Sequence, residues 1–247
     1  MRVLVPMAGD DTTPEGEQVN IYGNHVGSWN FAATAYLNQW KVKIYYEHYF
    51  DDHSQMFFQY GRWKDGHIGL EITFPKNRFI DTFVYEGLGT KDQTGPMLYD
   101  SFWGEFEEQI SAKDNYYNHY LYQGWQHWGM GIGNPLLPGP IYNKNGQITF
   151  ISNRVLAHHI GFCGSPCQSL SYRMLLSYSR HWGTYDNPLN EIKKQFNSLF
   201  EVTYAPQQLK GWSFTVSGAM DRGSMLGNNY GGMLVIRKQG IIKSGNK

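Results

Sequence analysis

The sequence predicts an all-β protein built on an antiparallel sheet, and three observations lead there. Helical periodicity is nearly absent; the best helical candidate, residues 101–113, is short and interrupted by Gly104. Period-two alternation of apolar and polar side chains recurs in segments of about ten residues. The composition is aromatic (16%) and glycine-rich (28 Gly) with only 17% charged residues, where ordinary soluble domains carry roughly a quarter.

The alternation can be followed along the chain. In SWNFAATAYLN, Trp29, Phe31, Ala33, Ala35 and Leu37 oppose Asn30, Thr34, Tyr36 and Asn38. In WKVKIYYEHYF, Trp40, Val42, Ile44 and Tyr46 oppose Lys41, Lys43, Tyr45 and Glu47. GHIGLEITF sets Ile68, Leu70, Ile72 and Phe74 against His67, Gly69, Glu71 and Thr73. LSYRMLLSYSRHW sets Leu170, Tyr172, Met174, Leu176, Tyr178 and Trp182 against Ser171, Arg173, Ser177, Ser179 and His181. SLFEVTY and GWSFTVSGAMD repeat the pattern with Phe200, Val202 and Tyr204, and with Trp212, Phe214, Val216 and Met220. Further strands are expected over 79–88, 147–162 and 229–238, for a total of about nine or ten. Turn signals separate them: KDG from Lys64, PKN from Pro75, NKNG from Asn143, YAPQQLKG from Tyr204 and GNNYGG from Gly227. Residues 90–145 form one long irregular insertion, and loops of that length usually carry function or fold over a lumen.

The two faces differ in kind. A soluble sandwich coats its outer face with Lys and Glu, whereas here the polar face is Ser, Thr, Gly and Asn with occasional Arg, Glu and His. That suits a wet barrel interior, with the aromatic-ended apolar face turned to lipid. An antiparallel outer-membrane-type β-barrel is therefore the preferred architecture, with a soluble β-sandwich or barrel as the alternative. Lys plus Arg equals Asp plus Glu at 21 each, so net charge supplies no case for a nucleic-acid partner. No apolar run approaches the roughly 18 residues of a transmembrane helix, and the opening residues carry no signal-peptide h-region. Cys163 and Cys167 are too few for a zinc site; they are either a turn disulfide or two free thiols.

The segment YYNHYLYQGWQHWGMGIGNPLL, residues 116–137, is where chemistry is to be sought. His119, Trp125, His127 and Trp128 lack a third metal ligand in register, and the adjacent His158 and His159 must face opposite ways along a strand. No metal site and no cofactor is expected. Glu105, Glu107, Glu108, Glu201 and Asp221 are the carboxylates a glycan hydrolase would draw on, but nothing in the sequence pairs them. No catalytic residue is assigned. Gly131 and Gly133 form a G-x-G without the strand–helix context of a phosphate loop. Carbohydrate contact fits better, because aromatic rings cover the C–H faces of a pyranose while imidazole, amide and guanidinium groups bond its hydroxyls. The candidates are Tyr122, Trp125, His127, Trp128 and Asn134 from the insertion, with Arg154, Arg173 and His181 from the strands. Toward an acidic polysaccharide, Arg154, Arg173, Arg180 and Arg222 are the charge partners, with Arg180 the weakest because it falls on the apolar face. The same aromatics can instead serve as girdle and loop packing.

Taken in order, GWQHWGMGIGNPL, NRVLAHHIGF, LLSYSRHWGTYDNP, SLFEVTYAP and GWSFTVSGAMDRG with NYGGMLVIRK resemble the C-terminal half of the Wzi-like capsule assembly proteins of Bacteroides-type bacteria. The resemblance implies a non-enzymatic outer-membrane protein of Gram-negative cells, with lectin-like attachment of capsular polysaccharide to the cell surface. It implies about half of an eighteen-stranded barrel in residues 1–247, as one domain lacking its N-terminal half. The implied partners are capsular or surface polysaccharide, outer-membrane lipid and the missing N-terminal barrel half. The sequence departs from such barrels at both ends, having no export signal at its start and no terminal aromatic in GIIKSGNK. A glycan hydrolase and a passive porin-like barrel are the alternative functions.

Overall fold

A computed structural model describes residues 26–50, 58, 65–77, 79–95, 113–119 and 124–240. It contains one large antiparallel sheet of nine strands and a two-stranded ribbon. The sheet strands are β1 (Gly27–Leu37), β2 (Trp40–Phe50), β3 (Gly66–Thr73) and β4 (Thr82–Gly89), then β7 (Val155–Cys167), β8 (Leu170–Gly183), β9 (Pro188–Tyr204), β10 (Trp212–Gly223) and β11 (Asn229–Lys238). The ribbon, β5 (Gln126–His127) and β6 (Met130–Gly131), lies within the insertion between β4 and β7. Each sheet strand pairs with its neighbours in sequence, so the sheet is a simple meander with β1 and β11 at its two edges. Neither edge is paired with the other, so the sheet is open among the described residues.

Every alternating segment read from the sequence lies in the register it predicts. Ala33 pairs with Ile44, Ile44 with Leu70, Ile160 with Leu176 and Val216 with Leu234, all on the apolar face. Glu47 pairs with His67, Glu86 with His159, His159 with Ser177, Ser177 with Asn197 and Asn197 with Asp221 on the polar face. Every Asp and Glu in the paired register (Glu47, Glu71, Glu86, Glu201 and Asp221) falls on that polar face. The apolar face is left uncovered over much of its area: Phe31 is 52% exposed, Val216 61% and Leu234 65%. Aromatic rings gather toward its two ends, with Trp40 against Phe74 and Trp212 stacked on Phe214 at one, and Trp29 against Phe50 at the other.

Connections differ at the two rims. Residues 38–39, 74–81, 168–169 and 205–211 make the shorter turns of one rim, and 51–65, 90–154, 184–187 and 224–228 join strands at the other. The expected strand over 147–162 begins only at Val155 and runs on to Cys167. Residues 147–154 stay out of the sheet because side chains satisfy their backbone. Asn143 Nδ2 donates to the Gln147 and Thr149 carbonyls at 2.6 and 2.8 Å. Asn118 both donates to the Phe150 carbonyl at 2.9 Å and accepts from its N–H at 2.8 Å. Of the helical candidate at 101–113, all but Lys113 lies outside the described residues, and Lys113 is not helical.

Cys163 and Cys167 are free thiols. One extended strand carries both, which spaces them by roughly 13 Å at 3.3 Å per residue, beyond disulfide reach.

The turn over 74–81 folds against the β7–β8 hairpin. Asp81 N–H donates to the Cys163 carbonyl at 2.8 Å, and the Tyr172 hydroxyl donates to the Phe79 carbonyl at 2.7 Å. A Cβ added at Gly164 would lie 1.7 Å from that same Phe79 oxygen. No rotamer relieves a clash with backbone, so Gly164→Ala should destabilise this corner by about 1–3 kcal/mol. Equilibrium unfolding of the variant in detergent checks this, and unchanged stability would show that the turn does not sit on β7.

Candidate functional site

The long insertion closes over the polar face at the loop rim. Leu137 and Phe150 from the insertion join Leu88, Val155 and Ala157 of the strands in a small buried core, with Tyr49, Tyr117 and Leu136 packed on it. Around that core the bonds are polar and buried. Asn153, fully buried, accepts from Gln93 Nε2 at 2.8 Å and donates to the Tyr116 carbonyl at 2.9 Å. Thr90 Oγ1 donates to the Asn153 carbonyl at 2.6 Å and accepts the Val155 N–H at 3.0 Å.

Asp65, just before β3 and also fully buried, latches three segments together. Its Oδ1 accepts from the Asp92 N–H at 2.9 Å; its Oδ2 accepts from the Thr94 N–H and the Tyr116 hydroxyl, both at 3.0 Å. Burial raises the Asp65 carboxyl above its ordinary range, outweighing the donors that pull it down. Burial likewise lifts the Tyr116 phenol, which therefore stays a donor.

Beneath the cap lies a cavity of about 800 Å³ whose wall includes Ser28, Glu47, His67, Glu86, His159 and Asn197. These side chains form a belt across the sheet. Ser28 Oγ donates to Glu47 at 2.5 Å, and His67 lies between two carboxylates, 3.6 Å from Glu47 and 3.5 Å from Glu86. Tyr45 donates its hydroxyl to Glu86. Farther along, His159 Nδ1 meets Ser177 Oγ at 2.7 Å and Asn197 Nδ2 donates to Asp221 at 2.6 Å. His158 points the other way, to the Tyr85 hydroxyl at 2.8 Å, as strand alternation requires. Among the described residues no group of three or more His, Cys, Asp or Glu is arranged to hold a metal ion.

The ribbon is a two-residue hairpin with Trp128 and Gly129 at its tip. Their φ values of 52° and 78° are both left-handed, as a type I′ turn demands. A tryptophan there is unusual, since a Cβ in the left-handed region costs about 1–2 kcal/mol. The ring recovers little by packing: Trp128 is 84% exposed, with His127 edge-on at 6.2 Å. The tip residue next to it is fixed on both sides, with Ile141 N–H bonded to the Gly129 carbonyl at 2.8 Å and Gly129 N–H to Gln126 Oε1 at 2.7 Å. His127, Trp128, Pro140, Ile141, Gln147 and Ile148 border a shallow cleft of about 550 Å³. Trp125, half-buried, belongs to the base of the ribbon, where its backbone bonds Tyr117 and Ile132.

The sequence-selected residues thus divide among several places. His127 and Trp128 share the exposed cleft, and Trp125 supports it. Asn134 and His181 line the capped cavity; His181 is 2% exposed and its Nε2 lies 2.9 Å from Ser179 Oγ. Arg154 lies on the outside of the loop rim, its guanidinium 4.0 Å over the Tyr185 ring. Arg173 is paired with Glu201 at 3.3 Å near the opposite rim, roughly 26 Å along β8 from His181. Tyr122 and the Glu105, Glu107 and Glu108 cluster lie outside the described residues. Alternation could have selected Glu47, His67 and Glu86 as inward groups; nothing in the sequence marked Asp65, whose three partners come from two distant segments.

No protein-family model, curated protein or solved structure matches this chain.

The folded chain holds the Asp65 proton more tightly than an unfolded chain would. The stability this group contributes is therefore complete in acid and lost as pH rises through its elevated titration. Hydrogen-exchange protection of the Asp92 and Thr94 amides, corrected for intrinsic rates, should fall across that interval. Asp65→Asn should remove the dependence and cost about 1–3 kcal/mol, because one buried oxygen acceptor becomes a donor. Protection that is flat with pH in the parent chain would show that the raised Asp65 titration is not linked to the latch.

Proposed function

We propose that this chain is part of an outer-membrane β-barrel that holds surface polysaccharide in a lectin-like way, without catalysis. The observation that carries the reading is the division of charge between the faces of the nine-stranded sheet. Every carboxylate in the paired register is on one face, and the other is an exposed apolar surface ended by aromatic rings. Exposing such a face to water is unfavourable, while lipid costs it nothing. Its strands, 8 to 17 residues long, bracket the roughly 9–11 residues that a tilted strand needs to cross a bilayer. Among the described residues the edges at β1 and β11 are unpaired and call for further strands, which is the role of the N-terminal barrel half implied by the Wzi-like resemblance.

Sugar contact falls to the loop rim, where such barrels carry their longer, extracellular loops. The Trp128 ring, presented at the hairpin tip over a cleft lined by Ile141 and Ile148 as well as Gln126 and Gln147, with His127 beside it, suits a pyranose face and its hydroxyls. A strained residue kept exposed is expected where the side chain has work outside the fold. The same resemblance favours capsular polysaccharide as the ligand.

Val216→Arg, on the apolar face, should destabilise the bilayer-inserted protein by about 2–4 kcal/mol if it lies near the midplane. Refolding into phosphatidylcholine vesicles measures this, and a neutral effect would favour a water-facing sheet. Trp128→Gly should stabilise the hairpin by about 1 kcal/mol, by removing left-handed strain, yet weaken retention of capsular polysaccharide. Retention equal to the parent would remove Trp128 from the site. Reducing-sugar release from that polysaccharide by the purified protein would instead support a hydrolase.

A further inference from the structure

The outward surface just above the apolar band at the loop rim is cationic, and among the described residues its charges form no ion pair. Arg180 and Lys194 are direct cross-strand partners on β8 and β9, both on the apolar face. Arg222 follows on β10, opposite Phe196 on the same face. In the other direction Arg154 continues the β7 edge of this row, bonded through its backbone to Trp182 and Gly183, and its Nε donates to the Lys91 carbonyl at 3.3 Å. Lys91, Lys113, Arg154, Arg180, Lys194 and Arg222 thus follow the rim from β4 to β10.

Two aromatic rings hold four of these cations. Lys91 Nζ and the Arg180 guanidinium lie 5.1 and 5.0 Å from the Trp182 ring centre. The Arg154 guanidinium and Lys113 Nζ lie 4.0 and 5.1 Å from that of Tyr185. Lys113 is also fixed by donating to the Asp92 and Gly95 carbonyls at 3.0 and 2.9 Å. Among the described residues none of the six is in an ion pair, whereas Lys41, Arg173 and Lys193 on the polar face each have a carboxylate. Asp92 and Asp186 belong to the same rim, and Asp186 accepts from Asn115 Nδ2 at 3.4 Å rather than from a cation. The Arg180 Nε is buried without a hydrogen-bond partner. The chain as a whole is neutral, so this is a local arrangement that gathers like charges on one outward surface of the described residues. At the opposite rim Lys238 lies over the Trp212 ring at 5.3 Å and donates to the Lys210 carbonyl at 2.5 Å.

We propose that this rim binds the phosphate groups of a phosphorylated lipid headgroup in the leaflet that meets the loop rim. Charge complementarity selects an anion, and position selects a lipid. The row borders the apolar band on its outward side, where acyl chains would lie along Phe196, Phe200 and Tyr178 while phosphate reaches the cations. The glycan-facing cleft at Trp128 is a separate surface. The inference rests on the barrel reading, because only in a bilayer does the rim meet headgroups.

The test reconstitutes the full chain in phosphatidylcholine nanodiscs with and without lipid A and counts retained lipid A by native mass spectrometry. Retention is expected in the parent. It should weaken roughly fivefold for each charge removed by Arg154→Gln, Arg180→Gln or Lys194→Gln, with Arg154→Lys and Arg180→Lys close to the parent. Equal retention by the Gln variants overturns the proposal. So does displacement of lipid A by inorganic phosphate at comparable concentration, which would mark a site for free anions. Loss of binding to an acidic polysaccharide, with lipid A retention intact, also overturns it by assigning the row to glycan. Failure of the protein to enter neutral phosphatidylcholine bilayers when the strands that complete its barrel are present would defeat the barrel reading itself. Insertion without lipid A preference would defeat only this inference.

Discussion

Alternation across an antiparallel meander is the constraint from which the rest of this molecule follows. Each residue has one face available, and moving any strand by a single position would carry Glu47, Glu86 or Asp221 onto the apolar side. The cross-strand belt makes such a slip costly. His67 bridges Glu47 and Glu86, Tyr45 donates to Glu86, His159 meets Ser177, and Asn197 holds Asp221. These groups compensate one another on the polar face, which frees the other face to be almost wholly apolar. The sheet thereby has one polar face and one exposed apolar face, and both proposed surfaces lie where those faces end.

At the loop rim the insertion behaves as a small domain folded onto the sheet. Its hydrophobic core is modest, with Phe150 and Leu137 as its main contribution, so hydrogen bonding fixes its position. Asp65, Asn153, Gln93 and Thr90 are buried together and bond to one another's segments or to backbone. Buried polar groups of this kind cost much when any partner is lost, and the cap should accordingly move as a unit. That rigidity lets a two-residue hairpin hold a tryptophan in a left-handed conformation and keep its ring in solvent. It also sets the cap between the cavity and the outside, with Asn134 and His181 within and Trp128 and His127 without.

The fold was legible in the sequence to an unusual degree because period two is a local property. Trp29 through Leu37, or Trp212 through Met220, declare their face without knowledge of any partner strand. The strand expected at 147–154 failed for a reason that is not local: Asn118 and Asn143, distant or separated by a turn, satisfy its backbone before a neighbouring strand can. The candidate site was legible only in parts. The hairpin residues His127 and Trp128 belong together as contiguous residues must, but Arg173 and His181, eight positions apart on one strand, are at opposite ends of it. Arg180, discounted as a sugar contact because it falls on the apolar face, has its place in the rim row for that same reason.

By itself, then, the sequence determined the strands, their faces and the chemistry assigned to each face, because alternation and composition are written residue by residue. Which charges meet a partner was decided only by tertiary structure. Glu47 and Glu86 converge on His67 through pairing of β2, β3 and β4, and Asp65 gathers donors from segments 27 to 51 residues away. The row from Lys91 to Arg222 exists only because the pairing of the strands brings six separated positions to one rim. Compensation of charge depends on distance in space, and the chain sets that distance only once the sheet has formed.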